Sequence, residues 1–141
     1  MNMHIQPCGL FVSEEYFYLG ASPDGVYGEN GVVEIKCPVS AFGMHPDTAI
    51  LYKKLTCFYL STDKSKHTLA FNKNHDWYYE VQGHLQITKR KFCIFAVWTG
   101  EDYPMRTIRI PRDDVFWQEM MLPTLTQFYY EKLLPKLIAM Y

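Results

Sequence analysis

SPDGVYGENGVVEIKCP, residues 22–38, reads as a pair of short strands joined by a tight turn. Pro23-Asp24-Gly25 is turn chemistry, and Gly28, Asn30 and Gly31 supply a second turn before the strand GVVEIK. That strand is β-branched and stops at Pro38, which has no amide hydrogen to continue a ladder. Strand side chains alternate between faces, so Glu34 and Lys36 point the same way, ~7 Å apart along the chain. Val33, Ile35 and Cys37 take the other face, and the pattern predicts that this apolar face meets the core. The turn folds the chain back, so Asp24 can lie beside Glu34 on the neighbouring strand.

Two carboxylates held together repel each other and need a cation. Asp and Glu oxygens suit a hard ion such as Mg2+ or Mn2+. Such an ion polarises a phosphoryl oxygen and acidifies a water, and a lysine at the same edge can orient that water or offset phosphate charge. Two carboxylates and a lysine are therefore a minimal set for phosphodiester hydrolysis. The same letters also fit an ordinary wet sheet face, on which Glu34 and Lys36 pair with little effect on stability.

Outward from this stretch, GLFV and YFYLG read as two strands with a turn at residues 13–15. PDTAILYKKL opens a helix with Asp47 near its start, within a span, residues 39–66, that carries little other pattern. TLAFN is a strand. DWYYEVQGHLQIT is a helix capped by Asp76, with Tyr78, Val81, Leu85 and Thr88 near one face; Gly83 weakens it by ~1 kcal/mol against alanine. FCIFAVWT is a continuous apolar run, as expected of a central buried strand. MRTIRI alternates as a more exposed strand does. Asp113 or Asp114 then caps a long helix carrying Phe116, Met120 and Phe128, with Pro123 and Pro135 set to break or bend it. The strand-helix-strand unit over residues 68–99 gives an α+β class, a central mixed sheet flanked by helices, in one domain over residues 1–141.

The 141 residues are 48% hydrophobic and 21% charged, a globular composition able to bury a core without disulfides. The net charge of −1 gives no global field for nucleic acid. Residues 53–91 nevertheless hold eight lysines and arginines against three acids, a local +5. Cys8, Cys37, Cys57 and Cys93 form no CxxC pair and read as reduced thiols, most in apolar surroundings, of an intracellular reducing compartment. No apolar run suits a signal peptide or a membrane span. The five histidines show no zinc spacing; His84 can reach Glu80 at i−4 but reads first as a packing or surface residue. Tyr78 and Tyr79 can stack on bases or pack in the core. Lys89, Arg90 and Lys91 suit phosphate contacts and a helix C-terminus equally. No phosphate loop and no serine-hydrolase pairing is present.

GASPDGVYGENGVVEIKCP resembles the core signature of the PD-(D/E)xK nucleases, and among them the YqaJ-type viral recombinases, which are similar to lambda exonuclease. LAFNKNHDWYYEVQGHLQITKRKFCIFAVWTGED resembles that family's glutamine-bearing helix and core strand. IPRDDVFWQEMMLPTLTQFYYEKLLPKL resembles its C-terminal helical segment. The likeness runs from Gly9 to Leu137 and implies a restriction-endonuclease-like core. It implies a metal-dependent DNA nuclease in which Asp24, Glu34 and the backbone carbonyl of Ile35 bind Mg2+ or Mn2+. Lys36 would be the catalytic lysine and Gln82 the glutamine beside it and the attacking water. Ser22, Tyr78, Lys89, Arg90 and Lys91 are the residues expected to meet DNA, and duplex ends and a homo-oligomer follow by analogy. The family's N-terminal helical part, with a further glutamate, has no counterpart here, so the chain reads as N-terminally truncated relative to the family. Many relatives read Gln-x-Gln where this chain has Glu80-Val81-Gln82. A non-catalytic DNA-binding or interaction domain of the same fold is the alternative.

Overall fold

The computed structural model describes residues 3–61 and 68–141. Asp63, Lys64, Lys66 and His67, four contributors to the central charge and histidine pattern, lie outside them. The 22–38 stretch forms the expected hairpin, β3 (Gly25–Tyr27) antiparallel to β4 (Gly31–Lys36). Gly28 turns the chain at φ 57°, a left-handed conformation that glycine adopts without a Cβ clash. Gly31 is required for a different reason: a Cβ there would lie 2.7 Å from the Tyr27 carbonyl oxygen and 2.8 Å from the Phe92 ring.

β4 runs parallel to β7 (Phe92–Val97), with Glu34 opposite Phe95 and Lys36 opposite Val97. β7 pairs antiparallel with β8 (Arg106–Pro111), completing a mixed sheet in the order β3-β4-β7-β8. A parallel pair needs a long crossover. This one contains α1 (Pro46–Leu51), the hairpin β5 (Phe58–Leu60) and β6 (Leu69–Phe71), and α2 (Asp76–Thr88). The expected α+β architecture, a mixed central sheet flanked by helices, is the one observed.

The core lies between this sheet and α2. Val32, Cys93, Phe95, Val97 and Ile110 of the sheet meet Tyr78, Val81 and Leu85 of α2, with Leu55, Cys57 and Phe58 closing one end. This reverses the expected facing of β4. Val32 belongs to the core and shares its side of the strand with Glu34 and Lys36. Ile35 and Cys37, expected inside, are exposed, although Val33 is buried. The physical reason is α2: it covers the Val32-Glu34-Lys36 face, bringing Glu80 to 2.7 Å from Lys36 and His84 to 3.2 Å from Glu34. Cys57 and Cys93 are buried, Cys8 partly so; among the described residues all four cysteines are free. Burial pushes the Cys57 thiol up to about 12.

Other expectations shift locally. YFYLG does not form a strand, since Leu19 N–H bonds to the Tyr16 carbonyl in a turn and only β2 (Gly20–Ala21) pairs, with β1 (Phe11–Val12). Its aromatics pack on the C-terminal helix instead, Tyr18 stacking on Tyr129 at 4.1 Å. The N-cap of α2 is His75, whose Nδ1 accepts from Trp77 N–H at 3.1 Å, and Asp76 is the first-turn acid. β5 lies in the span that carried little pattern.

The C-terminal helix begins at Asp114, capped by Asp113, whose Oδ1 accepts from Phe116 N–H at 3.0 Å. It runs through both prolines to Ala139. Each proline follows a π-helical turn, Trp117–Met121 before Pro123 and Tyr129–Leu133 before Pro135. A helical proline strikes the carbonyl four residues back, here Glu119 and Glu131, and both lie in the widened turns that accommodate it. Among the described residues no helix is long and apolar enough to cross a membrane.

Candidate active site

The hairpin register places Asp24 against Ile35, the residue that follows Glu34 on β4. Asp24 lies one residue beyond the last pair, Gly25 with Val33, and its N–H donates to the Val33 carbonyl at 3.1 Å. Its Oδ2 accepts from Ile35 N–H at 2.7 Å, which fixes the exposed carboxylate at the edge of β4. Ile35 thus contributes its N–H to the edge.

Lys36 Nζ stands 3.2 Å from Glu34 Oε1 and 2.7 Å from Glu80 Oε2, and lies 5.5 Å from the centre of the Trp77 ring. Burial pulls this lysine down, but the hydrogen bonds and charges of Glu80 and Glu34 outweigh it and hold the ammonium above its ordinary value. Burial pushes Glu34 up, and here His84 and Lys36 outweigh it, so the carboxyl stays below its ordinary value. His84 Nε2 lies 3.2 Å from Glu34 Oε2 and 3.8 Å from Glu80 Oε1. The closer contact is a polar pair and not a well-made hydrogen bond, and both Glu34 Oε2 and His84 Nε2 are buried.

Helix geometry explains which α2 residues arrive here. Trp77, Glu80 and His84 follow the i, i+3, i+7 spacing of one helix face, and this face lies over Glu34 and Lys36. Tyr78, Val81 and Leu85 form the adjacent face, which enters the core. Gln82 is about 200° around the helix from Glu80. It is fully buried, donating from Nε2 to the Pro111 carbonyl at 3.0 Å and accepting from Asp113 N–H at 2.8 Å. The expected glutamine beside Lys36 is therefore directed to the end of β8, and Glu80 occupies the place beside the lysine. Glu80 and His84 are the site-facing groups that sequence reasoning passed over. Their i, i+4 spacing was the available signal, but the facing of α2 was needed to interpret it.

The expected DNA contacts divide. Ser22 and Lys91 are exposed. Tyr78 is not available for stacking: it is buried against Phe71 and Phe116 and donates its hydroxyl to Asp113 at 3.1 Å. Burial and the Asp113 carboxylate push its phenol up. Lys89 pairs with Glu14 at 2.9 Å on the surface. Arg90 donates to the carbonyls of Gly28 and Gly31 at 2.8 and 3.0 Å and so secures the β3–β4 turn. A cleft of about 310 Å³ leads to Glu80 and His84 between Leu19, Gly20, Tyr79 and Trp117.

The residues fit a divalent cation. Glu34, Glu80 and His84 offer ligand atoms that all lie within 4.8 Å of one another, two of them buried and unpartnered, and Asp24 stands at the adjoining edge.

No protein-family model and no curated protein sequence matches the chain. Among solved structures it is similar to an alkaline exonuclease, LHK-Exo, from Laribacter hongkongensis, at 24% identity and a TM-score of 0.62. The structure of LHK-Exo in complex with dAMP gives the same values. The likeness covers 97% of this chain and 63% of the exonuclease chain, so the chain spans less than two thirds of the length of the proteins it matches. It shares with them the fold, a mixed sheet flanked by helices.

Proposed function

We propose that this chain is the core of a divalent-metal-dependent deoxyribonuclease. It hydrolyses phosphodiester bonds as an exonuclease from duplex ends, in recombination or in the processing of viral or mobile-element DNA. The observation that carries this reading is the pairing of Lys36 with Glu34 on β4, one residue either side of the Ile35 N–H that holds the Asp24 carboxylate, in a fold like that of an alkaline exonuclease. The resemblance of the surrounding motifs to PD-(D/E)xK nucleases supports the same reading.

Asp24 and Glu34 are the residues that would hold Mg2+ or Mn2+. The ion, when bound, supplies Lewis acidity to a phosphoryl oxygen and acidifies the attacking water. Lys36 then donates hydrogen bonds, as an ammonium, to the phosphate or to that water, and Glu34 and Glu80 keep it aimed at this edge. Trp77 and the rest of α2 cover the far side, which excludes solvent from the buried carboxylate. Gln82 acts here as a brace for α2 and takes no part in the chemistry.

The test compares linear duplex DNA with closed circular DNA of the same sequence, each with Mn2+ or Mg2+ and with a chelator control. The reading expects degradation of the linear form, sparing of the circle, and no reaction in chelator. Cleavage unaffected by chelator would overturn it. Retention of DNA by the folded chain with no cleavage in either ion would favour the non-catalytic DNA-binding domain.

A further inference from the structure

Each carboxylate over β4 divides its two oxygens. Glu34 Oε1 and Glu80 Oε2 are held by Lys36, at 3.2 and 2.7 Å. Glu34 Oε2 and Glu80 Oε1 turn the other way, to His84 Nε2, at 3.2 and 3.8 Å. Three donor atoms thus converge on one point from two elements, while the lysine holds both carboxylates from behind.

Two of those atoms pose a problem. Glu34 is 5% exposed and His84 8%, and neither Glu34 Oε2 nor His84 Nε2 has a hydrogen-bond partner. Buried polar atoms are nearly always paired, so an orphaned pair of this kind calls for a missing partner. The two atoms stand 3.2 Å apart as a close polar pair and do not form a well-made hydrogen bond. A cation that accepts a lone pair from each serves both, and the exposed edge of Glu80 gives it a way in. The separations suit it: ligands at right angles, about 2.1 Å from an ion, lie ~3 Å apart.

We propose that Glu34, Glu80 and His84 form a mixed oxygen–nitrogen site for a first-row divalent transition ion, in which His84 makes the protein prefer Mn2+ to Mg2+. The proposal rests on reading Glu34 as a metal ligand and adds to it a ligand set contributed by α2. An all-oxygen set serves Mg2+ and Mn2+ alike, whereas an imidazole nitrogen is accepted more readily by Mn2+, a softer d-electron ion, than by Mg2+, which holds to oxygen ligands and water. The i, i+4 spacing of Glu80 and His84 keeps both on the helix face that meets Glu34. His84 thereby sets ion selectivity, and Glu80 acts as ligand and as tether for Lys36.

The experiment uses the chain without DNA. Binding of Mn2+ and of Mg2+ is measured by calorimetry for the wild type and for His84→Gln. The bound Mn2+ of the wild type is then examined by pulsed electron paramagnetic resonance for coupling to a nitrogen nucleus. The expected result is nitrogen coupling in the wild type, with Mn2+ affinity reduced tenfold or more in His84→Gln and Mg2+ affinity changed less than twofold. Equal Mn2+ affinity in the two proteins, absence of nitrogen coupling, or absence of Mn2+ binding would each overturn the proposal. The nitrogen signal needs no variant, so a His84→Gln protein that fails to fold still leaves a decisive reading. Cleavage of DNA in Mg2+ separates this proposal from the nuclease reading. Cleavage with no nitrogen coupling removes only the role of His84, and nitrogen coupling with no cleavage in either ion removes the nuclease activity and leaves the site.

Discussion

Gln82 is enclosed on every side, and both ends of its amide are engaged by backbone groups of Pro111 and Asp113. Gln82→Ala should therefore act on stability. It leaves a cavity and two unpaired polar groups, a loss of about 2 kcal/mol and roughly 6–8 °C in Tm. Thermal melts check the loss, and the activity per folded molecule should stay within a few-fold of wild type. A collapse of activity in a fully folded variant would instead put Gln82 beside the reacting water. At this scale the sequence was legible where period and turn chemistry decide: alternation placed Glu34 with Lys36, and the hairpin folded Asp24 back against the same strand at Ile35. It was not legible where a helix had to choose a face. Glu80 and Gln82 differ by one oxygen or nitrogen, and only the packing of Tyr78, Val81 and Leu85 into the core determines which of the two meets Lys36.

The C-terminal helix hangs on its first residue pair. Asp113 accepts from Phe116 N–H and Tyr78 O–H and stands 3.7 Å from Lys73, and these contacts hold its carboxyl below the ordinary value, the helix N–H first among them. Its folded-state pKa is thus depressed relative to the unfolded chain. Its contribution is complete above the unfolded value of about 4 and is lost as pH falls through that value towards the folded one. Asp113→Ala should cost about 1 kcal/mol at neutral pH, as a lost N-cap does, and denaturant titration should show the difference shrinking in acid. A pH-independent difference would mean that the carboxylate charge is not what caps the helix. Sequence marked this helix and its cap but expected the prolines to interrupt it. Two π turns absorb them, which propensity alone does not reveal. β5 and the turn at Tyr16–Leu19 were missed for a related reason: three-residue strands and aromatic turns are fixed by distant partners, Phe71 and Tyr129, more than by local pattern.

Across the whole molecule the mixed sheet was legible because FCIFAVWT is too apolar to be anything but central, and β7 is indeed paired on both edges. The inverted facing of β4 was not, since it depends on a layer, α2, that begins 40 residues after β4 ends. Protection should follow this architecture. Hydrogen exchange should be slowest in β7 and its neighbour β4, and markedly faster in the β5–β6 hairpin, whose strands, among the described residues, form a two-stranded sheet. The reverse order would mean that the sheet described here is not the stable unit. The same layering explains why charge sits at the heart of the molecule: α2 covers Glu34 and Lys36 with groups that complement them. If that covered edge is a working site, loss of the ammonium should abolish chemistry while the fold survives. Lys36→Met is the appropriate variant, because it keeps an unbranched stem against Trp77 and removes only the charge. The direct measurement is the rate of degradation of linear duplex DNA by folded wild-type and Lys36→Met proteins in Mn2+. The account predicts metal-dependent degradation by the wild type and a loss of at least about 100-fold in the variant. Equal rates in the two folded proteins would contradict it.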